Sequence, residues 1–372
     1  MQQPSKKILI SGGGTGGHIF PAIAIADALR ERLGTAEIRF IGARGRMEME
    51  KVPAAGYAID GLWISGIQRR LTLKNLSFPF KLIASLMKAR KIIRKFRPDV
   101  AIGTGGYASG PMLRVASKKG IPSLIQEQNS FPGITNRILG KTVDRICVAY
   151  EGMEKYFPVS RIVITGNPVR KEIINMHGKE QEAKSFFGLD GKLKTVLVVG
   201  GSQGARSVNM AIGRMLGQLM DEDIQLVWQC GEHYPEEAKK LTADLPPEKS
   251  RRVQVHTFIT RMDLAYAAAD LVISRAGAIA ISELCIAGKP PLLVPLPGAA
   301  EDHQTKNAQA LQDKDAAIMV PDNKLDEALL PSLIALLKDD KRREAMGLNL
   351  QKLALPDATE KIVDEIITLL NK

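Results

Sequence analysis

Two glycine-rich turns, each leaving an apolar run and opening an alanine-rich stretch of helical period, constrain this chain more than any other feature. The first reads Ile8-Leu9-Ile10-Ser11-Gly12-Gly13-Gly14-Thr15-Gly16-Gly17-His18, the second Val196-Leu197-Val198-Val199-Gly200-Gly201-Ser202-Gln203-Gly204-Ala205. An apolar run that halts at glycines before a helical period is the opening of a βαβ unit. Glycine lets backbone N–H groups approach an oxyanion closely, and the helix N-terminus adds partial positive charge there. The duplication therefore predicts two similar α/β domains with a phosphate or sugar handled between them.

A length of 372 residues suits two domains of ordinary size. Hydrophobic residues at 45% and charged residues at 25% describe a globular chain rather than a disordered one. Cys147, Cys230 and Cys285 lie far apart and form no CxxC pair, so neither a disulfide framework nor a zinc site is expected. Lys6 and Lys7 lead straight into a strand rather than a signal-peptide apolar region, and no apolar run reaches about 18 residues. A cytoplasmic chain that does not span a membrane is the expectation.

The first half alternates strand-like runs (Lys7–Ile10, Ile38–Ile41, Val100–Ile102, Ser123–Gln126, Arg145–Val148, Ile162–Thr165) with helical stretches (Pro21–Leu33, Met47–Val52, Phe80–Phe96, Pro111–Lys118). Such alternation predicts a parallel, doubly wound sheet. A polar helical stretch at Lys179–Phe187 follows, and the pattern restarts at Lys194 with runs at Ile224–Gln229, Val253–Phe258, Leu271–Ser274, Leu292–Pro295 and Ala317–Val320. The domain boundary is expected near Gly166–Arg170, giving domains of 1–166 and 167–356. A last helix, Thr359–Leu370 within 357–372, is expected to pack back on the first domain.

Charge is unevenly spread. Gly61 to Pro98 holds ten basic residues and no acidic one, against a net charge of +12 for the whole chain. Leu71, Leu73, Leu76, Phe78, Phe80, Leu82, Ile83, Leu86 and Met87 interleave with those charges. One reading is a helix that buries its apolar face and solvates its lysines. The other is an interfacial contact with an anionic membrane through residues 69–97, each cation contributing about 1 kcal/mol. Nucleic acid is not expected, because of those interleaved apolar residues only Phe78 and Phe80 are aromatics that could stack on bases.

Gly12-x-Gly14-x-x-Gly17 fits the dinucleotide fingerprint, yet the second strand ends Phe40-Ile41-Gly42-Ala43-Arg44 without the acidic residue that holds a ribose. The second turn lacks the GK[ST] of a P-loop. Nicotinamide, flavin and NTPase chemistries are disfavoured. What remains is nucleotide-diphosphate chemistry that uses glycine loops and helix termini.

Seven segments then occur in order: Gly12 through Pro21, Gly105-Gly106-Tyr107-Ala108-Ser109-Gly110-Pro111, Glu127-Gln128-Asn129, Gly166-Asn167-Pro168-Val169-Arg170, Gly200 through Ala205, Arg275-Ala276-Gly277-Ala278 with Ser282-Glu283, and Asp302 through Ala308. Together they resemble the MurG-type peptidoglycan glycosyltransferases, from about Lys7 to Thr359. The resemblance implies a GT-B architecture, two Rossmann-like doubly wound α/β domains facing a central cleft. It also implies inverting transfer of N-acetylglucosamine from UDP-GlcNAc to the 4-hydroxyl of undecaprenyl-pyrophosphoryl-N-acetylmuramyl-pentapeptide, at the cytoplasmic face of the bacterial membrane. A UDP-GlcNAc 2-epimerase or a sugar-nucleotide-binding protein shares that architecture and is the alternative.

An inverting displacement needs a base, neutralisation of the leaving diphosphate and a fixed sugar. His18 follows the glycine turn, and imidazole is the side chain suited to exchanging a proton near neutral pH; it could equally do no more than bond loop backbone. Glu127 is the rival base. The family usually shows His-Glu-Gln-Asn here, whereas Gln126 precedes Glu127 in this chain. For the donor, the resemblance assigns Thr15, Gly16, Gly17 and Asn129 to the nucleotide-sugar pocket, Arg170 and Ile259 to the uracil, and Ser202 to the diphosphate. It assigns Ala278, Ile279, Ala280, Ile281, Ser282 and Glu283 to the nucleotide-binding turn, with Glu283 accepting from the ribose hydroxyls, and Gln304 to the sugar hydroxyls. The alternative for Glu283 is an acid that only stabilises the first turn of a helix, and Arg275 is either a phosphate ligand or a surface charge. No cofactor and no metal are expected, since Asp221-Glu222-Asp223 and Asp313-Lys314-Asp315 read as solvated turns rather than strand-end metal ligands.

Overall fold

The computed structural model describes residues 5–66, 77–201, 203–299 and 302–372. The chain divides into two compact units, Met1–Val169 with Asp357–Lys372, and Arg170–Pro356. The expected boundary at 166/167 falls three residues earlier.

The first unit is built on a parallel sheet of seven strands: β1 (Lys7–Gly12), β2 (Glu37–Ala43), β3 (Ala58–Leu62), β4 (Val100–Gly105), β5 (Ser123–Glu127), β6 (Arg145–Val148) and β7 (Ile162–Ile164). Their order is β3-β2-β1-β4-β5-β6-β7, so the winding reverses between β1 and β4. Helices cover both faces, which is why these strands read as unbroken apolar runs rather than as alternating ones. Leu9, Ile41, Ala101 and Ile125 face one core, closed by helices Phe78–Phe96 and Ser109–Lys118. Ile8, Ile10, Phe40 and Ile102 face the other, closed by helix Gly16–Leu33 and by the C-terminal helix Ala358–Leu370. That last helix contributes Ile362, Val363, Ile366 and Leu369. Ion pairs from Arg32 to Glu360 and Asp364, and from Arg145 to Glu365, fix its position along the sheet.

The second unit carries a six-stranded parallel sheet: β8 (Lys194–Val199), β9 (Ile224–Gln229), β10 (Val253–His256), β11 (Leu271–Ser274), β12 (Pro291–Leu293) and β13 (Ile318–Met319). The order β10-β9-β8-β11-β12-β13 reverses between β8 and β11. Both sheets are thus doubly wound, as the alternation of elements predicts.

Several boundaries differ from the sequence reading. The first helix begins at Gly16, not Pro21, and holds Pro21 inside it. Gly16 and Gly17 are poor helix formers, which hides the start from the sequence pattern, whereas the turn that starts the helix is closed by bonds from His18 N and Ile19 N to Thr15 O. β3 was not anticipated, because Asp60 and Gly61 interrupt its apolar run; Asp60 is carried there by its ion pair with Arg39 on the neighbouring strand, at 3.2 Å. Helix Phe78–Phe96 also departs from the simple amphipathic picture. It buries Ser85, Ala89, Ile92, Ile93 and Phe96, yet Phe80, Ile83 and Met87 stand 71%, 58% and 63% exposed on its outer side. Of the ten cations, Arg69, Arg70 and Lys74 lie outside the described residues, as do Leu71, Leu73 and Leu76.

Candidate active site

In an open α/β sheet, ligands are held beyond the carboxyl ends of the strands where the winding reverses. In the first unit this places the loops after β1 and β4 side by side. They interlock through glycines: a Cβ on Gly106 would stand 2.2 Å from Gly13 O, and one on Gly105 would stand 2.8 Å from Cδ2 of His18. Both glycines have φ near +100° (106° and 87°), a conformation costly for any other residue. His18 is the third residue of its helix. Its backbone carbonyl accepts from Thr104 Oγ1 at 2.7 Å, and its Nδ1 lies 3.0 Å from Gly13 O. A carbonyl can only accept, so Nδ1 carries the hydrogen and Nε2 of the neutral ring carries the lone pair. Thr15 precedes this helix as its N-cap residue, and Gly16 and Gly17 open it.

Glu127, the rival base, is enclosed. It is 2% exposed, and its oxygens accept four hydrogen bonds: from Asn129 N (3.0 Å) and Asn129 Nδ2 (3.2 Å) on one oxygen, from Gly133 N (3.2 Å) and Asn136 Nδ2 (2.9 Å) on the other. The carboxylate organises the loop after β5 and draws Asn129 onto itself. Gln126 belongs to a buried amide network with Asn167 (3.1 Å) and Gln128, which in turn donates to Thr104 O at 2.8 Å.

One buried acid was missed. Glu48, 0% exposed, accepts from Ala43 N and from Gly14 N, each at 2.9 Å. The acidic residue missing from the end of β2 is therefore supplied five residues later, but with its oxygens turned into the glycine loop. Cβ atoms on Gly13 and Gly42 would stand 2.1 and 2.5 Å from this side chain. The two glycines beside an acid at the start of the next helix were the only sequence signal available.

In the second unit, Ser274 of β11 pairs with Val199 of β8, so the loops after these strands are neighbours. One opens helix Arg206–Leu219, the other helix Ala278–Ala287. Ala278, Ile279, Ala280, Ile281, Ser282 and Glu283 are the first six residues of the latter helix. The first N–H groups of such a helix have no partner within it and suit a diphosphate. Glu283 lies beyond the first turn, which corrects the view that it merely stabilises a helix start. Its Oε1 receives Arg170 Nη2 and its Oε2 receives Tyr266 Oη, both at 3.2 Å. Burial raises its pKa above the usual carboxylate range, and Arg170 opposes that rise. Ser282 Oγ turns back to Ala278 O at 3.1 Å. Ile259 is buried, its N–H on Gln229 Oε1 at 2.9 Å, and Gln304 Oε1 accepts from Leu296 N at 2.9 Å. Ser202 lies outside the described residues. Arg275 is neither surface charge nor open phosphate ligand: its guanidinium ties Val294 O, Pro295 O, Ser207 Oγ and Asp322 together. Among the described residues, no three His, Cys, Asp or Glu side chains cluster as a metal site.

Residues 8–148 match the Glycosyltransferase family 28 N-terminal domain, and residues 195–362 match the Glycosyltransferase family 28 C-terminal domain. This chain belongs to glycosyltransferase family 28. A family relative from Christiangramia forsetii, named UDP-N-acetylglucosamine--N-acetylmuramyl-(pentapeptide) pyrophosphoryl-undecaprenol N-acetylglucosamine transferase, is 54% identical over 98% of each chain. The crystal structure of MurG from Acinetobacter baumannii superposes with a TM-score of 0.75 at 30% identity, covering 98% of this chain and all of that one. UDP-GlcNAc 2-epimerase from Neisseria meningitidis, bound to UDP-GlcNAc, shares the fold at 15% identity and a TM-score of 0.64, covering 97% of this chain. Family 28 membership and the two doubly wound units agree with a GT-B glycosyltransferase.

Proposed function

We propose that this chain transfers N-acetylglucosamine from UDP-GlcNAc to the 4-hydroxyl of undecaprenyl-pyrophosphoryl-N-acetylmuramyl-pentapeptide, converting lipid I to lipid II. The observation that carries this reading is a chain that matches both the N-terminal and the C-terminal glycosyltransferase family 28 domains and in which His18, at the winding reversal of the first sheet, donates its Nδ1 hydrogen to Gly13 O, so that Nε2 is the lone-pair nitrogen of the neutral ring. His18 is the general base. Its Nε2 takes the proton of the acceptor hydroxyl as that oxygen bonds the anomeric carbon, and UDP departs with the electrons of the broken glycosidic bond. The helix starts at Ala278 and Arg206 offer N–H groups and partial positive charge to the departing diphosphate. Arg170 and Glu283, drawn together in the second unit, serve the nucleoside end, with Ile259; Gln304 and Asn129 serve the sugar, and Thr15, Gly16 and Gly17 the pocket around it. Glu127 shapes the Asn129 loop rather than taking the proton.

The acceptor is lipid-linked, and a peripheral contact with anionic membrane fits the first unit. No helix among the described residues is long and apolar enough to cross a membrane. Phe80, Ile83 and Met87 instead form an exposed stripe at helical spacing, continued by Arg90 and Arg94. Beside it a cavity of about 380 Å³ is lined by Leu86, Arg90, Arg114, Val115, Lys118 and Lys119, with no acidic residue. Such a combination suits headgroup phosphates over acyl chains.

Incubating the purified protein with labelled UDP-GlcNAc and a lipid-linked muramyl acceptor tests the reading. Labelled lipid should form. Conversion of UDP-GlcNAc to its 2-epimer without acceptor would instead establish the epimerase alternative.

A further inference from the structure

We propose that Glu48 is a positioning residue for His18, acting through the single peptide unit that joins Gly13 to Gly14. The proposal rests on His18 being the base. The carbonyl of this peptide accepts from His18 Nδ1 at 3.0 Å, and its N–H donates to Glu48 Oε2 at 2.9 Å. In a trans peptide the two groups point in opposite directions within one plane, so whatever holds the N–H also aims the carbonyl.

That hold is needed because the peptide lies between two glycines. Gly14 has φ +88°, and neither residue has a Cβ to resist rotation of the peptide between them. A half-turn would present N–H to Nδ1. The ring would then keep its lone pair on Nδ1 and its hydrogen on Nε2, and Nε2 could no longer accept a proton from the acceptor. Glu48 blocks this, since a carboxylate accepts an N–H but has nothing to donate to a carbonyl. Its charge also polarises the peptide and strengthens the carbonyl as an acceptor. The result is a carboxylate–peptide–imidazole series, with the role that a carboxylate plays directly on the imidazole of a catalytic triad.

The surroundings are built for this carboxylate. Its second oxygen is anchored by Ala43 N at 2.9 Å, and it starts helix Glu48–Ala54, where the helix dipole favours negative charge. Gly13 and Gly42 leave the space it fills, since a Cβ at either would collide with it.

The test is the tautomer of His18, read by long-range ¹H–¹⁵N correlation on histidine-labelled protein and assigned by its loss in His18→Gln. The parent protein should show the Nδ1–H form; a dominant Nε2–H form in the parent would overturn the proposal without any variant. Glu48→Gln has one acceptor for two N–H groups. It should raise the Nε2–H fraction severalfold and lower kcat by about 10- to 100-fold, the scale of a misaligned catalytic group, with KM for UDP-GlcNAc and the far-UV CD spectrum retained. An unchanged tautomer in Glu48→Gln sinks the proposal, whether or not kcat falls. A shifted tautomer with undiminished kcat would uphold the Glu48 contact and instead remove His18 as the base.

Discussion

At the scale of single residues, the carboxylates of Glu127 and Glu283 are both enclosed, with different consequences. Glu127 has no unused lone-pair direction facing outward, so Glu127→Gln should act on stability. Each charged hydrogen bond lost should cost about 1.5–3 kcal/mol, seen as a lower Tm. His18→Ala should leave Tm and donor affinity in place and lower kcat by about 10²- to 10⁴-fold; the reverse pattern for the two variants would exchange their roles. Glu283 is bonded to Arg170 and Tyr266, and Glu283→Ala should raise KM for UDP-GlcNAc by the equivalent of roughly 1.5–3 kcal/mol. A KM that does not move would leave Glu283 as a partner of Arg170 only. The glycine turn singles out His18 in the sequence, whereas Arg170 and Glu283 enter only through the family resemblance. Neither signal exposes Glu48, since Arg44-Gly45-Arg46-Met47-Glu48 says nothing of which way the acid turns; that is settled by Gly13, thirty-five positions earlier.

At the scale of elements, the strands were the most legible part. Arg145–Val148, Ile224–Gln229 and Leu271–Ser274 agree with their apolar runs to the residue, because a strand covered on both faces leaves little room for polar interruption. Helix starts were less legible wherever glycine begins them. The Phe78–Phe96 helix shows why charge alone misleads: Lys88 donates to Gly61 O at 2.6 Å and Lys81 to Ser65 Oγ at 3.1 Å, so these cations serve the unit itself. The membrane test belongs to Arg90, Lys91, Arg94 and Lys95, which are exposed. Changing those four to Ser should lower co-sedimentation with anionic vesicles and slow transfer to vesicle-embedded acceptor, with a soluble short-chain acceptor spared. Equal sedimentation would mark the stripe as a solvated face. In the second unit, Asp263 at the start of helix Met262–Ala268 accepts from Arg261 (2.9 Å) and Lys179 (3.1 Å), and these bonds, Arg261 foremost, hold its pKa well below the carboxylate range. A depressed folded pKa gives stability that is complete above the unfolded value of about 3.9 and is lost as pH falls below it. The acid limb of Tm against pH should therefore flatten in Asp263→Asn, which should already be less stable at neutral pH.

At the scale of the whole molecule, both sheets reverse their winding where the glycine loops stand, so duplication of one motif was enough to read two doubly wound units. The periodicity of Thr359–Leu370 marks a helix without naming its partner, which the structure gives as the first unit. The helix starts at Ala278 and Arg206 offer a diphosphate the compensating charge that a metal would otherwise supply. EDTA should accordingly leave turnover nearly unchanged; loss of activity restored by Mg²⁺ or Mn²⁺ would reverse that assignment.

The first unit is discontinuous in sequence, and this bears on how a ribosome delivers it. Ile8, Ile10 and Ile25 belong to a core that is completed only by Ile362, Val363, Ile366 and Leu369. While the intervening residues are translated, the part of this face of the first sheet that helix Gly16–Leu33 does not cover waits for its partner, and the second unit, whose chain is continuous from Arg170 to Pro356, is the first that can close. The usual order of synthesis, in which the leading domain matures first, is inverted here, and a nascent chain stalled before codon 357 would expose that part of the apolar sheet face to chaperones.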